Sequence, residues 1–155
     1  MEYKKIILKR GKEDSLKRFH PWVFSGAIDS WDDSIEEGDL VSVYSHDGKQ
    51  IGNGHFQIGS IAVRVLSFDQ QEINHDFWVK RLSAAYQMRK DLGLDYTPEH
   101  SSFRLVHGEG DFLPGLIVDF YGSTAVMQAH SVGMHMHREE IAQCLVEISE
   151  GKIKK

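Results

Sequence analysis

Residues 38–56 read GDLVSVYSHDGKQIGNGHF, and this stretch decides the fold of the first half of the chain. From Leu40 to Tyr44 the hydrophobic pattern has a period of two residues, which is typical of a β-strand. Asp47-Gly48 follows, and an Asp-Gly pair between two strand-like runs is a strong signal for a tight hairpin turn. Gln50–Phe56 then returns as a second strand. The stretch therefore predicts an antiparallel β-hairpin.

Further strand-like segments lie on both sides of this hairpin. Tyr3–Leu8 precedes it, Trp22–Ile28 reads more as strand or tight turn than as helix, and Ile61–Phe68 follows it. Asp29–Asp39 contains six acidic residues in eleven, so we predict a solvated loop there. Strands this short, separated by turns this frequent, indicate a small β-barrel that ends near residue 70.

The second half of the sequence mixes helical and strand-like segments. Asn74 is a predicted N-cap for a helix that Gly93 ends, and Trp78, Leu82, Ala85 and Leu92 fall on one face of that helix. The segments after it are predicted strands over Phe103–Val106, Leu116–Phe120 and Thr124–Ala129, and a last helix over residues 134–148. We therefore predict an α+β chain with two domains, residues 1–70 and residues 71–155.

The charge of this otherwise ordinary globular composition is distributed unevenly. The 155 residues contain 18 Lys+Arg and 23 Asp+Glu, a formal net charge of −5, and 41% of them are hydrophobic. This balance excludes a wholly disordered or collagen-like chain. Residues 1–22 alone contain seven basic and three acidic side chains. A basic terminus on an acidic body suits local contact with phosphates, but a solubilising terminus would have the same composition.

Two simple features predict the compartment. Apolar runs are only a few residues long, so the sequence predicts no membrane span. The single Cys144 excludes an internal disulfide and a cysteine-based zinc knuckle. We therefore expect a soluble protein of the reducing cytoplasm, without a membrane partner.

Residues 17–26 read KRFHPWVFSG and interleave basic side chains with aromatic ones. This combination suits RNA, because cations contact phosphates while aromatic rings stack on unpaired bases. Large aromatics also fill cores, and we interpret Trp22 and Phe24 as core residues of the barrel. Arg64 is unusual within an apolar strand, where it must either pair with a carboxylate or face a phosphate. The candidate RNA-binding residues are Lys4, Lys5, Lys9, Arg10, Lys12, Lys17, Arg18, His20 and Arg64.

Two stretches of the sequence resemble one known family. The pattern from Leu16 to Leu66 closely resembles a PUA domain, a small RNA-binding pseudo-barrel found in RNA-modifying enzymes. Residues 104–122, RLVHGEGDFLPGLIVDFYG, are similar to the signature of the central domain in PUA-containing ribosomal RNA cytosine-C5 methyltransferases. The sequence departs from the family at Phe112, where glycine is usual, and at Phe120, where a basic residue is common. The resemblance implies a PUA-like β pseudo-barrel followed by a small α+β central domain of helix, β-hairpin strands and helix.

The resemblance also implies an activity whose catalytic residues are not in this sequence. The family uses S-adenosylmethionine to methylate large-subunit ribosomal RNA, and its cofactor-binding domain is a doubly wound α/β unit after the central domain. Such a unit needs several βα repeats and on the order of 150 residues. We therefore expect the RNA-binding N-terminal part of a longer, truncated enzyme, with no catalytic residue, cofactor or metal of its own. Its expected partner is RNA, ribosomal in that family.

Other readings stay open from the sequence alone. The chain could be a free-standing PUA-type RNA-binding or adaptor protein without enzymatic activity, or a protein that retains the barrel without binding RNA. An RNA affinity that falls steeply with salt concentration would support an RNA-binding protein, whether part of an enzyme or free-standing, over a barrel that does not bind RNA. An apolar surface that a missing domain would otherwise cover could also drive formation of a homodimer.

Three further features invite a chemical interpretation. We interpret Cys144 as a core residue, because negative neighbours would raise the pKa of its thiol and disfavour a nucleophile. His135 and His137 point in opposite directions if their segment is helical, so we interpret them as surface residues and not as metal ligands. Residues 108–111, GEGD, have the glycines of a phosphate loop but no helix after them. We predict a β-turn there, with Asp111 capping its own backbone.

Overall fold

The computed structural model describes residues 2–95, 97 and 101–155, and within these residues the chain forms nine β-strands and four α-helices. In chain order they are β1 (Lys4–Leu8), α1 (Asp14–Lys17), β2 (Trp22–Phe24), β3 (Ile28–Trp31), β4 (Leu40–Tyr44), β5 (Gln50–Phe56), β6 (Ile61–Ser67), α2 (His75–Asp91), β7 (Ser102–His107), β8 (Leu116–Tyr121), β9 (Thr124–Ala129), α3 (Val132–Met136) and α4 (Arg138–Ile148). Short 3-10 turns lie at Ser25–Ala27 and Gly108–Asp111. The predicted α+β class is confirmed.

The chain divides into two compact units. The first unit comprises residues 1–73 together with the short segment 131–133, and the second comprises residues 74–130 and 134–155. Whether residues 1–70 and 71–155 act as two functional domains stays a prediction.

The first unit is built on a six-stranded sheet with the strand order β2-β6-β5-β4-β1-β3. The predicted hairpin is present, because β4 and β5 pair antiparallel and Gly48 adopts a φ of +83° in the turn between them. Strand β1 pairs parallel with β4 and antiparallel with β3. The inward side chains of these strands and Leu16 of α1 form one apolar core, whose strand residues include Ile6, Leu8, Val23, Val41, Val43, Val63 and Val65.

The acidic segment Asp29–Asp39 is only partly a loop. Its first residues belong to β3, where Ser30 and Trp31 pair with Ile7 and Ile6 of β1. The prediction of a loop over the whole segment is therefore wrong. Strand β3 lies at an edge of the sheet, and only Ile28 of its four residues is buried, so polar residues are tolerated there.

Gly54 lies at a close approach between β5 and β6. It pairs with Val65, and a Cβ atom at this position would lie 2.2 Å from the carbonyl oxygen of Arg64. Because the atom in the way belongs to the backbone, relief requires the two strands to separate.

Gly54→Ala is expected to lower the free energy of unfolding by about 1–3 kcal/mol, the usual cost of overpacking a closely packed site. Urea denaturation followed by far-UV circular dichroism measures this. Gly26→Ala is the matched control, because a Cβ at Gly26 would meet no atom within 4 Å. Equal stability of the two variants would contradict the prediction.

The long helix of the second unit begins and ends where its sequence signals place it. The Asn74 side chain accepts a hydrogen bond from the backbone N–H of Phe77 at 3.1 Å, which confirms it as the N-cap. Gly93 has a φ of +80°, and the N–H of Leu94 donates to the Arg89 carbonyl at 2.8 Å, as in a Schellman motif. The prediction that Leu92 lies on the buried face is wrong. This residue follows the last helical residue and is 71% exposed.

Helix α2 packs against α4 and β7 within the second unit, next to the antiparallel sheet β7-β8-β9. Phe120, at the family's often basic position, is buried and its ring centroid lies 5.3 Å from that of Phe103. The predicted last helix is two helices, because His137 leaves the helical conformation between α3 and α4. Neither glycine nor proline stands at this break, so no composition signal marks it.

Candidate nucleic-acid interface

The candidate site is built on the segment that follows α1. Leu16 is buried and anchors the short helix in the core of the first unit. The backbone then turns sharply: the N–H of Phe19 donates to the Leu16 carbonyl at 2.9 Å, and Phe19 adopts a φ of +61°. As a result, the four consecutive side chains of residues 17–20 are exposed on the surface.

The next strand extends this surface with aromatic rings. In β2 only Val23 is buried, while Trp22 is half-buried and Phe24 is 49% exposed. Our interpretation of Phe24 as a core residue is therefore wrong, and for Trp22 it is only partly right. The reason is the period of two in a strand at the edge of the sheet, which turns both rings away from the face of Val23. The His20 ring lies 5.7 Å from Trp22 and 6.3 Å from Phe24.

Two of the surface cavities in the first unit share Leu16 as a lining residue. The first, the Phe19 cavity, has a volume of about 360 Å³ and is lined by Phe19, Phe68 and the α1–hairpin residues Lys17, Asp47 and Lys49. The second, the Trp22 cavity, has a volume of about 340 Å³ and is lined by Lys12, Trp22, Phe24 and small residues of the following turn. Both volumes are at the lower end of the range of ligand sites in proteins.

Several predicted cations border these cavities. Lys12 lines the Trp22 cavity, and the Lys9 ammonium donates at 3.1 Å to the carbonyl of Gly26, which lines the same cavity. Lys17 lines the Phe19 cavity, and its two ion pairs are long, at 3.4 Å to Glu13 and 3.9 Å to Asp14. We define the basic–aromatic surface as Lys9, Lys12, Lys17, Arg18, Phe19, His20, Trp22 and Phe24.

The other predicted cations lie outside this surface. Lys4 donates to Asp39 at 2.8 Å, and this hydrogen bond is the main cause that raises the pKa of Lys4. Lys5 is paired with Glu2 at 2.9 Å. These ion pairs reduce the positive charge that the two lysines offer to a phosphate. Arg10 is exposed in the turn after β1. Arg64 lies opposite Trp22 in the β2–β6 register, and its Nη1 lies 3.4 Å from Oε1 of Gln57.

Three residues of the Phe19 cavity were missed from the sequence: Asp47, Lys49 and Phe68. Asp47 and Lys49 are held in the hairpin turn by Ser45, whose hydroxyl donates to the Asp47 carboxylate and accepts from the Lys49 N–H at 3.1 Å. The hydrogen bond from Ser45 is the main cause that lowers the pKa of Asp47, and the charges of Lys17 and Lys49 add to it. The Asp-Gly signal marked the turn, but only the fold brings it next to α1.

The GEGD segment of the second unit is structural. Asp111 accepts a hydrogen bond at 2.6 Å from the backbone N–H of His107, four residues earlier, and not from its own backbone as predicted. The segment forms a 3-10 turn in place of the predicted β-turn. The Asp111 carboxylate also forms a bidentate ion pair with the Arg89 guanidinium, with N–O distances of 2.5 and 2.7 Å. The sequence did not indicate this pair. Both side chains are largely buried, so this segment is tied to α2.

Cys144 is fully buried, which confirms its interpretation as a core residue. Burial is the main cause that raises the pKa of its thiol to about 11, and the charges of Glu140 and Glu147 contribute. The reactive form of a cysteine is the thiolate, so this environment opposes nucleophilic chemistry near neutral pH.

We accordingly expect Cys144 to resist alkylation by iodoacetamide in the folded protein near neutral pH and to react readily in urea. It is the only cysteine of the chain, so intact mass reports its modification directly. Rapid alkylation under native conditions would contradict the prediction.

A metal ion and S-adenosylmethionine each need a particular arrangement of protein groups. Among residues 2–95, 97 and 101–155, no three His, Cys, Asp or Glu side chains are grouped so that they could share a metal ion. S-adenosylmethionine, which the family resemblance implies, requires a doubly wound parallel sheet in that family. The two sheets of the described chain do not fit this requirement, because β1 and β4 are their only parallel pair. No helix in the described part of the chain has the length and apolar character of a membrane span.

Comparisons with known proteins agree with this architecture. Residues 6–68 match the family model of a PUA-like domain. The chain is 36% identical over 148 residues to the ribosomal RNA large subunit methyltransferase I of Vibrio vulnificus, and 37% identical over 147 residues to the protein of that name from Pseudoalteromonas atlantica. These alignments cover 92% and 91% of this chain but 36% of each relative, so the chain spans about a third of the length of the curated relatives it matches.

Two solved structures share the fold. One is described as "a putative SAM-dependent methyltransferase from Streptococcus mutans", with a TM-score of 0.81 and 18% identity over 98% of this chain and 39% of that one. The other is described as "a putative methyltransferase complexed with SAH", with a TM-score of 0.80 and 18% identity over 98% of this chain and 38% of that one. The predicted PUA-like pseudo-barrel followed by a small α+β region is thus confirmed. The chain therefore contains a PUA-like domain over residues 6–68, and it is similar over most of its length to part of the ribosomal RNA large subunit methyltransferases I.

Proposed function

We propose that this chain binds RNA through the basic–aromatic surface of its PUA-like domain. The observation that carries the proposal is the run of four exposed side chains, residues 17–20, in which two cations are followed by two rings. Two of the four, Lys17 and Phe19, line the Phe19 cavity. Cations on such a surface hold the phosphates of the strand, while the exposed rings stack on its bases. The predicted contacts of Lys4, Lys5, Arg10 and Arg64 form the outer part of the same proposal.

We further propose that the bound RNA is ribosomal and that binding serves methylation at C5 of a cytosine in the cytoplasm. The similarity to ribosomal RNA large subunit methyltransferases I supports the RNA class. The use of S-adenosylmethionine by the whole enzyme rests on the family resemblance. The cytosine rests on the family resemblance of residues 104–122. In this proposal the 155 residues position the RNA, and methyl transfer belongs to a cofactor-binding domain outside them.

Ultraviolet cross-linking to a fragment of large-subunit ribosomal RNA, followed by peptide mapping, tests the RNA-binding proposal. We expect cross-linked peptides from residues 9–24 and from the β4–β5 turn. Cross-links confined to residues 74–155 would contradict it. Incubation with labelled S-adenosylmethionine and the same RNA tests the catalytic part, and we expect no methyl transfer by this chain alone.

A further inference from the structure

Phe19, which lines the Phe19 cavity, has a backbone conformation and an exposure that the stability of the fold does not explain. Phe19 stands at the C′ position after α1, where the left-handed conformation normally selects glycine. A bulky side chain at a φ of +61° is strained, and such strain persists mainly at functional sites. The ring is nevertheless 68% exposed, so it contributes little to the core.

The cavity has an aromatic corner. The rings of Phe19 and Phe68 are perpendicular, at 89°, with their centroids 5.3 Å apart. A flat aromatic ligand can stack on one ring while its edge meets the other, which are the two favourable geometries of aromatic pairs. Leu16 and Ile51 add apolar side chains to the lining, and Ser45 and Gln50 add polar ones.

Charged groups surround this corner in an arrangement that suits a nucleotide. Lys17 from α1 and Lys49 from the β4–β5 turn both line the cavity. Their positive charges both favour the ionised form of the Asp47 carboxylate. Ammonium groups contact phosphates, and an ionised carboxylate accepts hydrogen bonds from the N–H groups at the edge of a base. A base that is paired in a duplex cannot expose its face to the corner, so the ligand must be unpaired.

We propose that the Phe19 cavity holds one unpaired nucleobase of an RNA strand. The base stacks on Phe19, the flanking phosphates lie at Lys17 and Lys49, and Asp47 accepts from the base edge. This inference rests on the proposed RNA-binding function and deepens it, because it makes the surface selective for single-stranded RNA.

Phe19→Gly tests the proposal, because glycine is the residue that the backbone at this position favours. The affinity of the full chain is measured for a single-stranded RNA of about 12 nucleotides and for the duplex of the same sequence, over a range of salt concentrations. We expect the variant to bind the single strand at least about fivefold more weakly, because the stacking of one base is lost. The salt slope should not change, because all phosphate contacts are kept. Duplex affinity should stay the same, and the melting temperature should not fall.

Phe112→Gly is the matched control. Phe112 is also a phenylalanine with a left-handed backbone, at a φ of +58°, and it is 57% exposed, but it lies in the second unit. Its replacement should leave RNA affinity unchanged. If Phe19→Gly binds the single strand like the wild type, or weakens single strand and duplex equally, the base-binding cavity is refuted while RNA binding stands. If the wild-type chain binds no RNA at all, both proposals fail.

Discussion

Replacing Asp111 with alanine is expected to lower the free energy of unfolding by about 3–5 kcal/mol, because it leaves a buried charge without its partner. The Arg89 and Asp111 side chains are only 11% and 2% exposed, and they form two hydrogen bonds with each other. The variant would bury the Arg89 guanidinium uncompensated. It would also remove the acceptor for the backbone N–H of His107.

Urea denaturation of the Asp111→Ala variant measures the loss, and hydrogen exchange of α2 peptides assigns it to the second unit. The matched control is Glu139→Ala, which removes an exposed ion pair with Arg138 and should cost less than about 1 kcal/mol. Equal stability of the Asp111→Ala and Glu139→Ala variants would contradict a stabilising role of the buried Arg89–Asp111 ion pair.

Reversing two charges on the basic–aromatic surface, Lys9→Glu with Arg18→Glu, is expected to weaken RNA binding more than tenfold at low salt. Both side chains are exposed, and the double substitution replaces two attractive contacts with two repulsive ones. Each phosphate contact on a single strand contributes about 0.7 to the slope of log affinity against log salt. The negative slope should therefore become shallower by about 1.4 in this variant, because two phosphate contacts are lost.

The control for charge reversal is Lys80→Glu with Lys154→Glu, two exposed lysines of the second unit. It changes the net charge of the protein by the same amount, so a general electrostatic effect would weaken binding equally. We expect the control to retain most of the affinity. Equal loss in the two variants, with both folded by circular dichroism, would show that the basic–aromatic surface has no special role.

The features that sequence predicted correctly depend on residues close together in the chain. The Asp47-Gly48 turn, the Asn74 N-cap and the Gly93 helix end each require a backbone geometry that only a few residue types favour. Local chemistry therefore determined most of the strand and helix boundaries.

The features that sequence missed depend on position in the sheet. Trp31 belongs to an edge strand, which tolerates the acidic residues that predicted a loop there. Phe24 lies on the outer side of another edge strand, so its apolar character wrongly predicted a core position. The Phe19 cavity joins α1 to the β4–β5 turn, roughly thirty residues later in the chain. Asp47 and Lys49 carry no signal in the sequence for a partnership with Lys17, because that contact exists only in the folded domain.

A salt titration of RNA binding by the wild-type chain tests the central claim most directly. The affinity for fragments of large-subunit ribosomal RNA is measured between about 50 and 200 mM salt, with duplex DNA of equal length as the control. We predict saturable RNA binding with a steep negative salt slope and weaker binding of the duplex DNA. Absence of RNA binding at the lowest salt, or equal affinity for the duplex DNA, would contradict the assignment of the basic–aromatic surface as an RNA-binding site.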